Sequence, residues 1–333
     1  MFRKHLAKKD GTPLHYFETL APAPKLALDL TTLPLIPEME MRFGLDNFQH
    51  YSRAVDEGLV RAISEFEGVG ADSIAVVSGA DMGLEIAMSH LLDPGDEAGV
   101  MTPAFPRFGQ IATELCGARV KTFESIHELP EATVIVINTP NNPSTKAVAR
   151  GKIETAIESR PGSFFIIDGV FSAFGQRGLA SLAEEFPNAV FINSVSKSHG
   201  LAGLRVGWII SRNKNLAQFG RGVSKFHVPL PNQKIAASAL GEEEFVERAR
   251  GFIDTEFSFL KKEIRAPLVR ETPVPFYLAK VSDSKAVQKR LMKLGISVVD
   301  CSTFPGMGNK HIRVRIGNRA ENEMFAEEFN SNL

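Results

Sequence analysis

The stretch Ala189-Val-Phe-Ile-Asn-Ser194-Val-Ser-Lys197-Ser-His-Gly-Leu-Ala-Gly-Leu-Arg205-Val-Gly207-Trp-Ile-Ile-Ser211 reads as a strand, a glycine-rich turn and a second strand. Ala189–Ser194 is nearly all apolar without alternation, the pattern of a strand buried on both faces. Open α/β sheets bind ligands at the carboxyl ends of their strands, and Lys197 stands at such an end. A lysine there condenses with an aldehyde, and the hydroxyls of Ser194 and Ser196 together with Arg205 suit a phosphate. The glycines let backbone approach a ligand closely. Taken alone, the same residues also suit a surface lysine in a glycine-rich turn.

Outward from this stretch, short β-branched runs alternate with helical patterns from Ser73 to about Ser211. The predicted strands are Ser73–Val77, Glu97–Met101, Arg119–Phe123, Thr133–Asn138, Ser163–Asp168, Ala189–Ser194 and Val206–Ser211. Helical periods at Met82–Leu92 and Arg150–Ser159 separate some of them. The expected fold is therefore α/β, a doubly wound, mostly parallel, seven-stranded sheet. Beyond Asn215 the pattern changes. Lys234–Arg265 is charged and mainly helical, then come strand Pro275–Val281, helix Ser284–Leu294, strands Ile296–Asp300 and His311–Ile316, and helix Glu321–Phe329. This predicts a second, smaller α/β domain, with residues 1–44 as an arm joining it, 45–225 as the large domain and 226–333 as the small one.

Composition narrows the function classes. A formal net charge of −1 gives no global field for nucleic acid or acidic membranes, and no apolar run reaches the length of a membrane span. The two cysteines, Cys116 and Cys301, have no paired spacing, which argues against disulfides or a structural zinc site and fits a reducing compartment. The expectation is a cytoplasmic protein without metal, nucleic acid or membrane as partner.

Other segments carry chemistry. Asp168 ends the apolar strand Ser163–Asp168, where an acid is costly unless it has a partner. Ser78-Gly79-Ala80-Asp81 links a strand to a helix, and free N–H groups at a helix start bind phosphate. Phe105 follows the strand Glu97–Met101 and offers a π face. Thr139-Pro-Asn-Asn142-Pro is a turn after another strand, and His311-Ile-Arg313-Val-Arg315 places two arginines on one strand face.

These segments, in this order from about Phe48 to Asn322, resemble the class I/II aminotransferases, pyridoxal-phosphate enzymes of the aspartate-aminotransferase fold. The resemblance is greatest to histidinol-phosphate aminotransferases and threonine-phosphate decarboxylases. It implies that Lys197 holds the cofactor pyridoxal 5'-phosphate as a Schiff base and that Asp168 pairs with its ring nitrogen. It implies Asn142 at the phenolic oxygen, Phe105 stacked on the ring, and Gly79, Ala80, Asp81, Ser194, Ser196 and Arg205 around the cofactor, mostly at its phosphate. Tyr51, in Phe48-Gln-His-Tyr51, would reach the cofactor of a partner subunit, which implies a homodimer with shared active sites. Arg313 would hold the substrate carboxylate, with Arg315 adding positive charge for a second acidic or polar group. The implied reaction is transamination between an L-amino acid and a 2-oxo acid, with amino-acid decarboxylation as the alternative.

Three positions depart from the family. Phe171 stands where the family has a tyrosine that bonds the phenolic oxygen, and Leu30-Thr-Thr-Leu-Pro34 stands near the arm's absent Asn-Pro-(Tyr/Leu)-Gly signature. Val299 replaces the arginine that phosphate-substrate enzymes place before Asp-Cys.

Overall fold

The computed structural model describes residues 24–39, 55–224, 226–242 and 244–331. A short first strand, β1 (Leu26–Ala27), precedes the strands of the large sheet. These are β2 (Ile74–Val77), β3 (Glu97–Met101), β4 (Arg119–Phe123), β5 (Val134–Asn138), β6 (Phe164–Asp168), β7 (Ala189–Ser194) and β8 (Gly207–Ile210). They lie in the order β2-β8-β7-β6-β5-β3-β4, parallel except for β8, which is antiparallel to both neighbours.

The continuous apolar runs have a direct cause. In β5, Ile135 and Ile137 point into one core while Val134 and Val136 point into the other. Phe165 and Ile167 oppose Ile166 in β6, and Phe191 opposes Val190 and Ile192 in β7, in the same manner. Helices cover both faces. Leu59 and Ile63 of helix Glu57–Glu67 fill the first core, and Leu84, Ala87 and Met88 of helix Gly79–Leu91 fill the second. With water excluded from both sides, period-two alternation disappears from the sequence.

The smaller unit contains β9 (Leu268–Val269), β10 (Phe276–Lys280), β11 (Ile296–Ser297), β12 (Val299–Asp300) and β13 (His311–Arg315). An antiparallel sheet runs β12-β13-β10-β9, and β1 pairs with β11 in a separate parallel pair. The single strand expected over Ile296–Asp300 is thus two pieces in two sheets. All five residues are buried, so burial alone does not distinguish one strand from two.

The helical region after Asn215 also divides. Helix Leu230–Leu240 puts Ala236 and Leu240 into a core of the large sheet, whereas helix Phe245–Glu263 puts Ala249, Ile253 and Leu260 into the core of the small unit. The core therefore changes near Gly241, one helix later than the boundary expected at 225/226. Leu26, Leu28 and Leu33 of the arm belong to the small unit's core. Between the two units, the carboxyl ends of β5 and β6 set Asn138 opposite Asp168, and Ser194 ends the adjacent β7 two residues beyond Ile192, the partner of Asp168.

Candidate active site

A cavity of about 400 Å³ opens at those strand ends. Of the residues singled out from the sequence, Ala80, Asp81, Phe105, Asn142, Asp168, Ser194, Ser196, Lys197 and Arg205 line it. Phe171 and the arm residues Leu30 and Thr31 complete much of the remaining wall. Tyr51 lies outside the described residues.

Lys197 sits in the single helical turn Val195–Ser198 that follows β7, where the Ser194 hydroxyl accepts from the Ser196 N–H at 3.3 Å. Burial, with Arg313 and Arg205 adding repulsion, lowers the Lys197 amine to about 7, against a smaller upward pull from Asp168. Asp168 moves the other way. Burial raises its carboxyl to about 7, although the Val170 N–H donates to it at 3.1 Å and Lys197 also opposes the rise. An amine and a carboxyl thus share one cavity, each pushed towards its uncharged form.

The opposite wall is backbone. Helix Gly79–Leu91 begins with Gly79 at φ 78°, a left-handed conformation that side chains rarely adopt. A Cβ on Gly79 would lie 2.5 Å from a guanidinium nitrogen of Arg205, so the arginine rests against the helix start. Gly207 lets β8 approach the same turn, since its Cβ would be 2.8 Å from the Ala80 nitrogen. Asp81 lines the cavity but is held by Arg107, whose guanidinium donates to both carboxylate oxygens at 2.9 and 3.2 Å and also to Glu85.

The arginines of β13 differ in surroundings. Arg313 is fully buried and donates to the Asn142 side-chain oxygen at 2.6 Å and to the Asp29 carbonyl at 2.5 Å. Its guanidinium also lies 5.3 Å from the Phe304 ring centre and 5.6 Å from that of Phe276. Arg315 is directed elsewhere, to the Ala27 carbonyl at 3.0 Å and to Glu321 at 2.8 Å. Shared strand parity put both arginines on one face, but Glu321 on the following helix captures the second.

Several polar residues at the site were not anticipated from the sequence. Asn138 accepts from the Asn142 N–H at 2.7 Å and donates to the Asp168 carbonyl at 3.3 Å, tying two strand ends together. Behind Lys197, Asn193 accepts from the Ser194 N–H and donates to Glu67, which also receives the Trp208 indole N–H at 2.9 Å. No local pattern announces Glu67, because its partners Asn193 and Trp208 are distant in sequence.

Known proteins resemble this chain in sequence and in fold. Residues 47–329 match the family described as aminotransferase class I and II. The chain belongs to that family. It is 31% identical over 275 residues to histidinol-phosphate aminotransferase 1 of Archaeoglobus fulgidus, which covers 80% of this chain and 85% of that protein. It is 30% identical to histidinol-phosphate aminotransferase of Methanosarcina mazei over 84% of this chain and 79% of the relative. The fold matches that of Sinorhizobium meliloti histidinol-phosphate aminotransferase in complex with pyridoxal-5'-phosphate, with a TM-score of 0.81 at 16% identity over 97% of this chain and 98% of that one. L-threonine-O-3-phosphate decarboxylase from Porphyromonas gingivalis has the same fold, with a TM-score of 0.74 at 18% identity over 92% and 99% of the two chains. This class I and II aminotransferase is an enzyme whose cofactor is pyridoxal phosphate. Among the described residues, no helix is long and apolar enough to cross a membrane.

Proposed function

We propose that this aminotransferase moves an amino group between an L-amino acid and a 2-oxo acid, with Lys197 as catalytic base and Arg313 as holder of the substrate carboxylate. The observation that carries the reading is a buried amine and a buried carboxyl, Lys197 and Asp168, facing one cavity. A buried carboxyl calls for a cationic or proton-donating partner, and a protonated pyridine nitrogen is one. A desolvated amine, neutral near pH 7, suits an aldehyde. The start of helix Gly79–Leu91, with Arg205 resting against it, suits a phosphate. These residues fit pyridoxal phosphate.

In this reading Gly79 and Ala80 offer backbone N–H groups to the phosphate, Ser194, Ser196 and Arg205 offer side-chain donors, and Asp81 stands beside them. Phe105 offers its ring face to the pyridine. Because the Asn142 oxygen already accepts from Arg313, the NH₂ of that amide is the part left for the phenolic oxygen. Tyr51 serves the cofactor of a second copy in a homodimer.

When bound, pyridoxal phosphate supplies an aldehyde for amines and a ring that accepts the electron pair left at the substrate α carbon. Arg313 fixes the carboxylate in one plane and so protects it from loss, leaving the α C–H bond to stand out of that plane. Lys197 Nζ would take the α proton and pass it on, away from the α carbon, as transamination requires. Cys116 and Cys301 are both buried and neither is part of a disulfide, in keeping with a reducing cytoplasm.

The test is a single turnover with an amino acid, analysed for the amino form of the cofactor and for carbon dioxide. The expected product is the amino form in stoichiometric amount, reversed by an added 2-oxo acid. Carbon dioxide released without it would make the enzyme a decarboxylase.

A further inference from the structure

We propose that Glu67, although it does not line the cavity, is a positioning residue for Lys197: its carboxyl fixes the Asn193 side chain, and Asn193 holds the turn that carries the lysine. The inference rests on the reading above, in which Lys197 is the amine that meets pyridoxal phosphate.

Glu67 is the last residue of helix Glu57–Glu67, whose Leu59 and Ile63 are buried in a core of the large sheet. Gly68 closes that helix at φ 69°, a left-handed conformation, and its N–H returns to the Ser64 carbonyl at 2.9 Å, so the backbone beside Glu67 is fixed. The side chain then reaches two paired strands. Asn193 of β7 and Trp208 of β8 are register partners, and one Glu67 oxygen accepts from the Asn193 NH₂ at 2.8 Å and from the Trp208 indole N–H at 2.9 Å. The next pair in register is Ser194 with Gly207. Ser194 lines the cavity, and Gly207 lies against the Gly79–Ala80 turn.

Ser194 anchors the lysine turn. Its N–H donates to the Asn193 side-chain oxygen at 2.8 Å, its hydroxyl accepts from the Ser196 N–H at 3.3 Å, and its carbonyl accepts from the Ser198 hydroxyl at 3.2 Å. The Asn193 NH₂ also donates to the Ser172 hydroxyl at 3.4 Å, next in the chain to Phe171 of the cavity wall. An amide fits the same space in two orientations that exchange its donor and its acceptor. Turned over, the buried Asn193 would set its NH₂ against the Ser194 N–H, donor against donor. The Glu67 oxygen keeps the NH₂ on its own side and so leaves the amide oxygen for Ser194. It does so charged or protonated, because a protonated acid keeps an accepting oxygen.

Glu67→Gln and Glu67→Met are compared as apoenzymes for the rate of pyridoxal phosphate uptake across pH, followed by absorbance. Both remove the charge and the titration of the carboxyl, so the difference between them is the acceptor. Glu67→Gln should take up the cofactor within about threefold of the parent rate, and Glu67→Met at least about tenfold more slowly at neutral pH. The pH midpoint of uptake should also rise in Glu67→Met, because a lysine turn no longer held brings its amine nearer to water. Arg313, Arg205 and Asp168, the charged groups that act on the amine, are the same in both variants. A lower melting temperature of Glu67→Met with rate and midpoint equal to those of Glu67→Gln would make Glu67 a stabiliser of the fold only, and the inference fails. Asn193→Ala removes the relay and should match Glu67→Met in both readouts, and adding Glu67→Met to it should change the rate by less than about twofold. Parent-like uptake by Asn193→Ala overturns the inference even where Glu67→Met does not fold. A parent apoenzyme that takes up no pyridoxal phosphate at Lys197 overturns the reading beneath it as well.

Discussion

The Arg313 guanidinium and the Asn142 side-chain oxygen meet in a 2.6 Å hydrogen bond that joins strand β13 of the small sheet to the loop after β5 of the large one. One contact therefore couples the proposed carboxylate holder to a residue proposed at the cofactor. The Asp29 carbonyl accepts a second Arg313 N–H, so the N-terminal arm enters the same network. Any motion of the small unit relative to the large one must carry this contact with it or break it.

Arg313→Ala should lower kcat/KM for the amino acid by about 30-fold to 5,000-fold, because loss of a buried charged contact costs about 2–5 kcal/mol. Cofactor absorbance should persist. Arg315→Ala should act differently, since its partners are Ala27 and Glu321, not the cavity. It is expected to lower the melting temperature while activity per folded molecule stays within about threefold. A larger catalytic loss at Arg315 than at Arg313, measured by steady-state kinetics, would reverse the assignment.

The contrast between the two arginines illustrates what sequence alone could convey. Strands Glu97–Met101 and Ala189–Ser194 and helix Arg150–Ser159 were legible to the residue, because their apolar patterns report burial that each element experiences locally, and the mostly exposed strand Arg119–Phe123 has the expected bounds as well. The residues gathered at the cavity were singled out because their motifs follow the order of the class I and II aminotransferases, and several of them stand at strand ends, which converge in an open sheet. What local pattern could not report is partnership at long range. Asn193 meets Glu67 across 126 positions and Trp208 meets it across 141, and nothing beside Glu67 in sequence marks it as buried. For the same reason Ile296–Asp300 looked like one strand, because the change of partner from β1 to β13 leaves no local trace.

Lys197 should load with pyridoxal phosphate at neutral pH. With its amine lowered to about 7, about half is uncharged at pH 7, against roughly one in three thousand for an ordinary lysine. The second-order rate of cofactor uptake by the apoenzyme should climb through pH 6–7 and level off above. Borohydride reduction followed by peptide mapping should place the label on Lys197. A rate still rising tenfold per unit at pH 9 would indicate a solvated amine, and a label elsewhere would remove Lys197 from its role.

Phe171 is buried, lines the cavity and meets Phe276 edge-on with ring centres 5.2 Å apart. Its ring offers no hydrogen bond to an anionic oxygen. Phe171→Tyr should add such a donor and stabilise the deprotonated form of the bound cofactor. The spectral pH titration of the holoenzyme should then shift to lower pH. An unchanged or raised midpoint would show that the added hydroxyl does not face the cofactor.

The last prediction concerns the carboxyl behind the lysine turn. Glu67 as a whole is only partly buried, but its carboxyl end is enclosed, and burial raises it to about 7 against the opposing hydrogen bonds from Asn193 and Trp208 and a weaker pull from Arg177. An unfolded Glu67 ionises near 4.5. Between these values the folded protein keeps a proton that the unfolded chain has released, so stability falls as pH rises through the window, and the loss is complete above about pH 7. The shift from 4.5 to about 7 corresponds to about 3 kcal/mol at most. In Glu67→Gln the amide oxygen still accepts from both Asn193 and Trp208 but carries no charge, so it imitates the protonated acid at every pH. Asp168 shares the same sign and window, which is why the variant and the parent must be compared side by side as holoenzymes. The difference in melting temperature should be near zero at pH 5 and favour Glu67→Gln by a few degrees at pH 8. The same difference at both pH values would mean that Glu67 is ionised in the folded protein throughout, and the proposed burial of its proton would be wrong.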